Sequence, residues 1–368
     1  MSAHQDLTAA APSLKKRDDF WDIIRGLLIY GVFIGHDIGG WDFVAWDYMF
    51  PPDSFFFNKW IIVRSVINVT VPVFIFVSGC MVTKKYFSRL RSYYVSRTIR
   101  LMVPFAIWTL IYSALEVFVY HNKITVMSVL LGVNGIQLYY LPVMMQLVLL
   151  SPLFFKLRNK ELALIITLVI NLVNNILHVI YKFSQGVRFP NEMLYATGFI
   201  FFYALGLYYR NTDGRLLKKI TFARSIYLAV IGLEIYMITS YISLMITMNP
   251  IIAVSFVTVG SLIYSSFAIF FVIRLRERLR DYDFGKNVIC RGLRWIGRHS
   301  MDFFLVHWVF ENYIKMWFIC NVDRNLNILS NAITITATTI LCCIYALCAD
   351  KVRHFCKVRW GSKIKIKT

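Results

Sequence analysis

Arg25 and His36 stand eleven residues apart in "RDDFWDIIRGLLIYGVFIGHD", residues 17–37, an otherwise apolar stretch. Eleven residues turn an α-helix through about 1100°, three turns plus about 20°, so both side chains leave the same face. Along the axis they are separated by roughly 16 Å at 1.5 Å per residue. Asp22 precedes Arg25 by three positions, a spacing at which helical ion pairs form. A guanidinium is a permanently charged fork suited to phosphate and carboxylate oxygens. An imidazole is the side chain best able to take a proton near neutral pH. The stripe thus offers an anion-holding group at one level and a proton acceptor at another. The bland alternative is a snorkelling arginine with an interfacial histidine.

The elements that must position these residues follow from composition. Hydrophobic residues make up 58% of the 368 and charged residues 16%, against about 45–50% and about 25% in soluble domains. Apolar runs of bilayer length, about 20 residues, recur near 19–39, 62–82, 101–120, 137–155, 162–181, 193–209, 225–246, 250–273, 299–319 and 328–349. The expected fold class is all-α: a polytopic transmembrane helix bundle of about ten spans, with both termini cytoplasmic. With the N-terminus inside, 32 of the 40 lysines and arginines fall in inward segments, which is the positive-inside bias. Arg64 then belongs to an outward loop, and Arg25 and Lys315 lie within spans. The expected organisation is an N-terminal tail over 1–18, one transmembrane domain over 19–349, and a basic tail over 350–368 that meets anionic lipid or simply anchors topology. No cleavable signal peptide is expected.

The net charge of +20 does not indicate nucleic acid, because the basic residues are dealt out between spans and not gathered on one surface. The seven cysteines form neither a disulfide framework nor a metal-ligand spacing, so no metal is expected. A polar stripe in a span must face a bundle interior or a wet cavity. The same holds for Glu116 and Glu234, which also lie within spans and need partners; Glu116 is placed towards an outer cavity, and Glu234 is equally expected as a buried structural acid. His307 falls near mid-membrane in the ninth span, with Glu311 one turn on, either as a catalytic group or as a structural hydrogen-bonding histidine. The first outer loop, 40–60, is rich in aromatics and aspartates, as an interfacial belt or a sugar-binding surface would be.

The first helix resembles the start of the acyltransferase-3 family of integral membrane acyltransferases. In that family an acidic residue shortly precedes an arginine, followed by ten residues and a histidine; here these are Asp22, Arg25 and His36. "VPVFIFVSG" at 71–79 resembles the second-helix signature. "SRTIRLMVP" at 96–104 resembles the Arg-x-x-Arg segment followed by proline, here Arg97, Arg100 and Pro104. "LYYLPVMMQLVLLSP" at 138–152 resembles the fourth span, with Tyr139 and Tyr140 where tryptophan is common. "WIGRHSMDFFLVH" at 295–307 resembles the late Gly-x-x-Ser segment that ends in histidine, with Met301 and Phe304 departing from the usual pattern.

The resemblance implies acyl transfer, usually of acetyl, from cytoplasmic acyl-CoA to a hydroxyl of a surface glycan or glycolipid. It implies no permanently bound cofactor, acetyl-CoA as the expected donor substrate, and a bacterial cytoplasmic membrane as the location. On this reading Arg25, Arg97 and Arg100 hold the donor's phosphates, with Asp22 orienting Arg25. His36 accepts the hydroxyl proton, and Arg25 and His307 complete the catalytic set. The rival is a transporter or flippase for a glycan or lipid that uses the same stripe as a path. Nothing in the sequence fixes an oligomeric state.

Overall fold

The structure, a computed structural model, describes residues 18–37, 62–187, 189–212, 214, 217–247, 253–322 and 328–360. The N-terminal tail to residue 17, the loop 40–60 and the basic end from 361 lie outside the described residues. Among the described residues every regular element is helical. The long helices are α1 (Asp19–Asp37), α2 (Ile62–Cys80), α3 (Leu90–Phe118), α4 (Tyr140–Lys156), α5 (Lys160–Gln185), α6 (Ile200–Thr212), α7 (Phe222–Thr247), α8 (Val259–Arg278), α9 (Val288–Arg298), α10 (Ser300–Asn321) and α11 (Ile328–Trp360).

Seven of these, α2, α3, α4, α5, α7, α8 and α11, are long and apolar enough to cross a membrane. The remaining three expected spans fall on α1, α6 and α10. Helix α6 has 13 residues. Helix α1 carries Asp19, Asp22, Arg25 and Asp37, and α10 carries Asp302, Glu311 and Lys315, which make both less apolar than the seven. The two helices that composition disfavours are those that carry the histidines.

Local chemistry sets several boundaries away from their sequence positions. Helix α2 has a turn at 68–69 because Pro72 has no N–H to offer the carbonyl of Asn68. The ladder resumes with Val73 N to Val69 O at 3.0 Å. Helix α5 starts on Asn159, whose side chain accepts from Leu162 N at 2.9 Å, and ends on Gly186 at φ +67°. Helix α8 starts at Val259, later than the hydropathy run, because Thr258 caps it by accepting from Ser261 N at 3.1 Å. The residues just before it form a buried irregular segment, with Ala253, Val254, Ser255 and Val257 all inside.

Irregular backbone at membrane depth survives only where protein satisfies it. Asn175 on α5 donates to Thr258 O at 2.9 Å and Asn171 donates to Gly198 O at 3.0 Å. Asn68 on α2 donates to Ser255 O at 3.1 Å. These buried amides explain why an otherwise apolar α5 carries a polar stripe. Asn175→Leu leaves the Thr258 carbonyl without this donor, at a cost of about 1–3 kcal/mol. A lower melting temperature of the detergent-solubilised protein is the expected result.

Close backbone packing sets the rest of the frame. A Cβ on Gly79 of α2 would lie 2.4 Å from Tyr203 O of α6, and one on Gly206 would lie 2.1 Å from Phe76 O. Small residues at such crossings let helices approach in the absence of a hydrophobic drive. Helix α1 packs against α2, α9, α10 and α11. Helix α11 continues past residue 349, the expected end of the membrane domain, because its next turns have partners. Arg353 forks onto Asp302 with both bonds at 2.8 Å, and Asp350 meets the His299 ring at 2.7 Å.

Candidate active site at the end of the first helix

The first turns of α1 are held by arginines from later in the chain. Arg276 of α8 forks onto Asp18 at 2.8 and 2.6 Å and donates to the Tyr209 hydroxyl at 2.9 Å. On α9, Arg294 meets Asp19 at 2.7 Å, and Arg298 meets Asp19 at 3.1 Å and Asp22 at 3.2 Å. Asp22 also faces Arg25, its i+3 neighbour, at 3.6 Å. The expected Asp22–Arg25 pair is thus one edge of a wider network. Acidic residues at a helix N-terminus also complement its positive end.

Helix α9 lies antiparallel along this part of α1. Gly26 faces Leu293 O, and Gly297 faces Asp22 O, where an added Cβ would sit 1.7 Å from that oxygen. The glycine of the late Gly-x-x-Ser segment is therefore a contact point for the backbone of α1. The chain then turns at His299, and α10 runs alongside the second half of α1. This places Phe33 against Phe303 and His307, with ring centroids 6.4 and 5.3 Å apart.

His36 sits in the last turn of α1. Its ring centroid lies 5.4 Å from that of His307 and 4.9 Å from that of Trp308. His307 is wholly buried. Its Nδ1 lies 2.9 Å from Phe304 O and 3.2 Å from Phe303 O, so Nδ1 is assigned the proton and donates to these carbonyls. That leaves Nε2 as a lone pair. Neither His307 Nε2 nor His36 Nδ1 has a hydrogen-bond partner among the described residues, although both atoms are buried. A buried polar atom without a partner calls for a ligand or an ordered water. His36 as a residue is partly exposed and His307 is not.

Asp37 turns away from His36, as the 100° step of a helix requires, and faces Lys315 at 3.5 Å. Lys315 and Glu311 of α10 and Arg64 of α2 are all buried beside this helix end. Lys315 Nζ donates to His36 O at 2.6 Å and to Asp37 O at 2.8 Å, and Arg64 donates to Gly35 O. Below the histidines, the Ser78 hydroxyl donates to Phe74 O at 2.9 Å and lies 3.3 Å from the Tyr140 hydroxyl. The Tyr140 ring is 5.2 Å from Phe304, which in turn is 6.1 Å from His307. Side chains from α2, α4 and α10 thus meet next to His307.

Of the residues singled out by sequence, the structure joins Asp22 with Arg25, and His36 with His307. Arg97, Arg100 and Glu116 lie on α3, which is not among the main neighbours of α1. Arg97 sits over the Tyr93 ring at 5.7 Å, Arg100 is exposed, and Glu116 accepts from Asn122 at 2.7 Å. Glu234 is exposed on α7. Arg64 and Lys315 were not singled out. Arg64 read as a loop residue, although Lys315, a charge inside a span and four positions after Glu311, was a signal that some partner must exist.

A family model described as an acyltransferase domain matches residues 18–347, nearly the whole chain. None of the curated proteins and none of the solved structures compared with the chain matches it.

Proposed function

We propose the following for this chain, which belongs to the acyltransferase-3 family and is an integral membrane protein. It moves an acyl group, acetyl being the expected one, from cytoplasmic acyl-CoA to a hydroxyl of a cell-surface glycan, glycolipid or precursor. The bacterial cytoplasmic membrane is the proposed setting. The observation that carries this reading is the pair of buried imidazole nitrogens, His36 Nδ1 and His307 Nε2, that no side chain or backbone group satisfies among the described residues.

In the proposed step the acceptor hydroxyl lies against the His36 ring and gives its proton to that imidazole. Its oxygen attacks the thioester carbonyl carbon, and the carbon–sulfur bond breaks. The proton passes from His36 to the departing sulfur, so ester and thiol are formed and the histidine is regenerated. His307, its tautomer fixed by the two α10 carbonyls, supplies a second acceptor next to the reacting hydroxyl. Proton transfer by a positioned base contributes about 10²–10⁴-fold. Arg25 meets the anionic end of the donor; Arg97 and Arg100 are proposed as further phosphate contacts on the family resemblance alone, since α3 is not a main neighbour of α1. The roughly 16 Å between Arg25 and His36 along α1 is a length that the extended arm of CoA can span.

Purified protein in lipid vesicles, given radiolabelled acetyl-CoA and an extract of envelope glycans, is expected to yield alkali-labile labelled ester on the glycan fraction. Arg25→Ala should lose that product while still inserting into membranes. Passage of glycan across the vesicle wall with no dependence on acyl-CoA and no ester formed would replace this reading with transport.

A further inference from the structure

We propose that Lys315 and Arg64 are positioning residues for His36, acting through the backbone of the last turn of α1. This rests on His36 being the proton acceptor. The last four carbonyls of a helix have no partner within it, and their partial negative charge attracts cations. Here three consecutive terminal carbonyls are taken by two cations from two other helices. Arg64 of α2 donates to Gly35 O, and Lys315 of α10 donates to both His36 O and Asp37 O.

The distances separate this arrangement from an ordinary buried ion pair. The Lys315 ammonium lies 2.6 and 2.8 Å from the two carbonyl oxygens. It lies 3.5 Å from Asp37 Oδ1 and 3.7 Å from Glu311 Oε1, beyond hydrogen-bond length. Its hydrogen bonds are therefore spent on the backbone that carries His36, and the carboxylates serve as counter-charges. Among the described residues two buried cations, Arg64 and Lys315, stand with two buried anions, Asp37 and Glu311. Among the described residues the His36 side chain makes no hydrogen bond from Nδ1 to hold its own ring. The direction of the imidazole towards His307 is inherited from the clamped turn.

The test compares kcat and KM in the vesicle assay with acetyl-CoA and glycan extract. Lys315→Met combined with Glu311→Gln removes the Lys315 arm of the clamp, which holds two of the three carbonyls, without changing the sum of these charges. It should lower kcat on the order of 10²-fold, the scale of an ångström-size misplacement, with donor and acceptor KM little changed. Lys315→Arg, which can still donate to two carbonyls, should recover most of kcat. Gly35→Ala needs no charge removed: its Cβ would lie 2.7 Å from Arg64 Nη1, displacing the guanidinium, and about a tenfold loss in kcat is expected.

A folded Lys315→Met/Glu311→Gln protein with normal kcat, beside an inactive His36→Ala, overturns the positioning role and leaves the proposed function standing. Full activity in His36→Ala overturns both. If the double variant does not fold, Lys315→Arg and Gly35→Ala decide: normal kcat in Gly35→Ala, or no activity in a folded Lys315→Arg, counts against the clamp.

Discussion

Replacing His36 by alanine is expected to lower acyl transfer by about 10²–10⁴-fold, the contribution of a positioned general base, with little effect on folding. The separation of the two effects comes from the site itself. His36 is only partly exposed as a residue, and its buried Nδ1 makes no hydrogen bond among the described residues. Removing it therefore breaks no polar contact from that atom, and the costs are the packing against Trp308 and His307. The clamp on the last turn is made to the backbone and persists without the side chain. The measurement is ester formation on envelope glycan, read by mass spectrometry in cells lacking the native protein and complemented with His36→Ala, alongside the amount of protein in the membrane. Normal acylation at normal protein level would end the catalytic assignment. His36→Gln distinguishes chemistry from a polar path, since a pore tolerates an amide and a proton transfer does not.

Gly297→Ala is expected to be the most disruptive single methyl group among the helix contacts described. Its Cβ would lie 1.7 Å from Asp22 O and 2.7 Å from Asp22 C. Both are backbone atoms of α1, so no side chain can swing aside. Helix α9 must retreat from α1, which also pulls Arg294 and Arg298 away from Asp19 and Asp22. Overpacking of this kind costs about 1–3 kcal/mol and more where the backbone must move, against about 1 kcal/mol regained in helix propensity. Gly292 on the same helix has open space at its Cβ, so Gly292→Ala should be neutral or slightly stabilising. Thermal melting of the two variants in one detergent, with acyl transfer measured in parallel, checks the contrast. Equal melting temperatures would mean that the α1–α9 approach does not hold this end of the site.

Helix α9 also shows why sequence and structure diverge. The segment 274–298 reads as an inward loop dense in arginine, and topology alone accounts for such a composition. In the structure Arg276, Arg294 and Arg298 are paired with the acidic start of α1. Asn171 and Asn175, about which the sequence reading is silent, serve the carbonyls of Gly198 and Thr258 from two distant segments.

The sequence by itself determined the helical membrane character, the shared face of Asp22, Arg25 and His36, and a late histidine as a candidate partner. Each is a property of one segment: hydropathy over a bilayer's width, a 3.6-residue period, an ionisable group in an apolar run. Only the tertiary structure decided that His307 meets His36, that Asp37 turns to Lys315, and that Arg64 leaves its presumed loop to hold the end of α1. It also set Arg97 and Arg100 on a helix that is not a main neighbour of α1. The physical reason is that a buried charge or amide requires a partner but does not specify one. That choice is made by which helix ends and carbonyls the packing brings within hydrogen-bond reach, and it has no periodic trace along the chain.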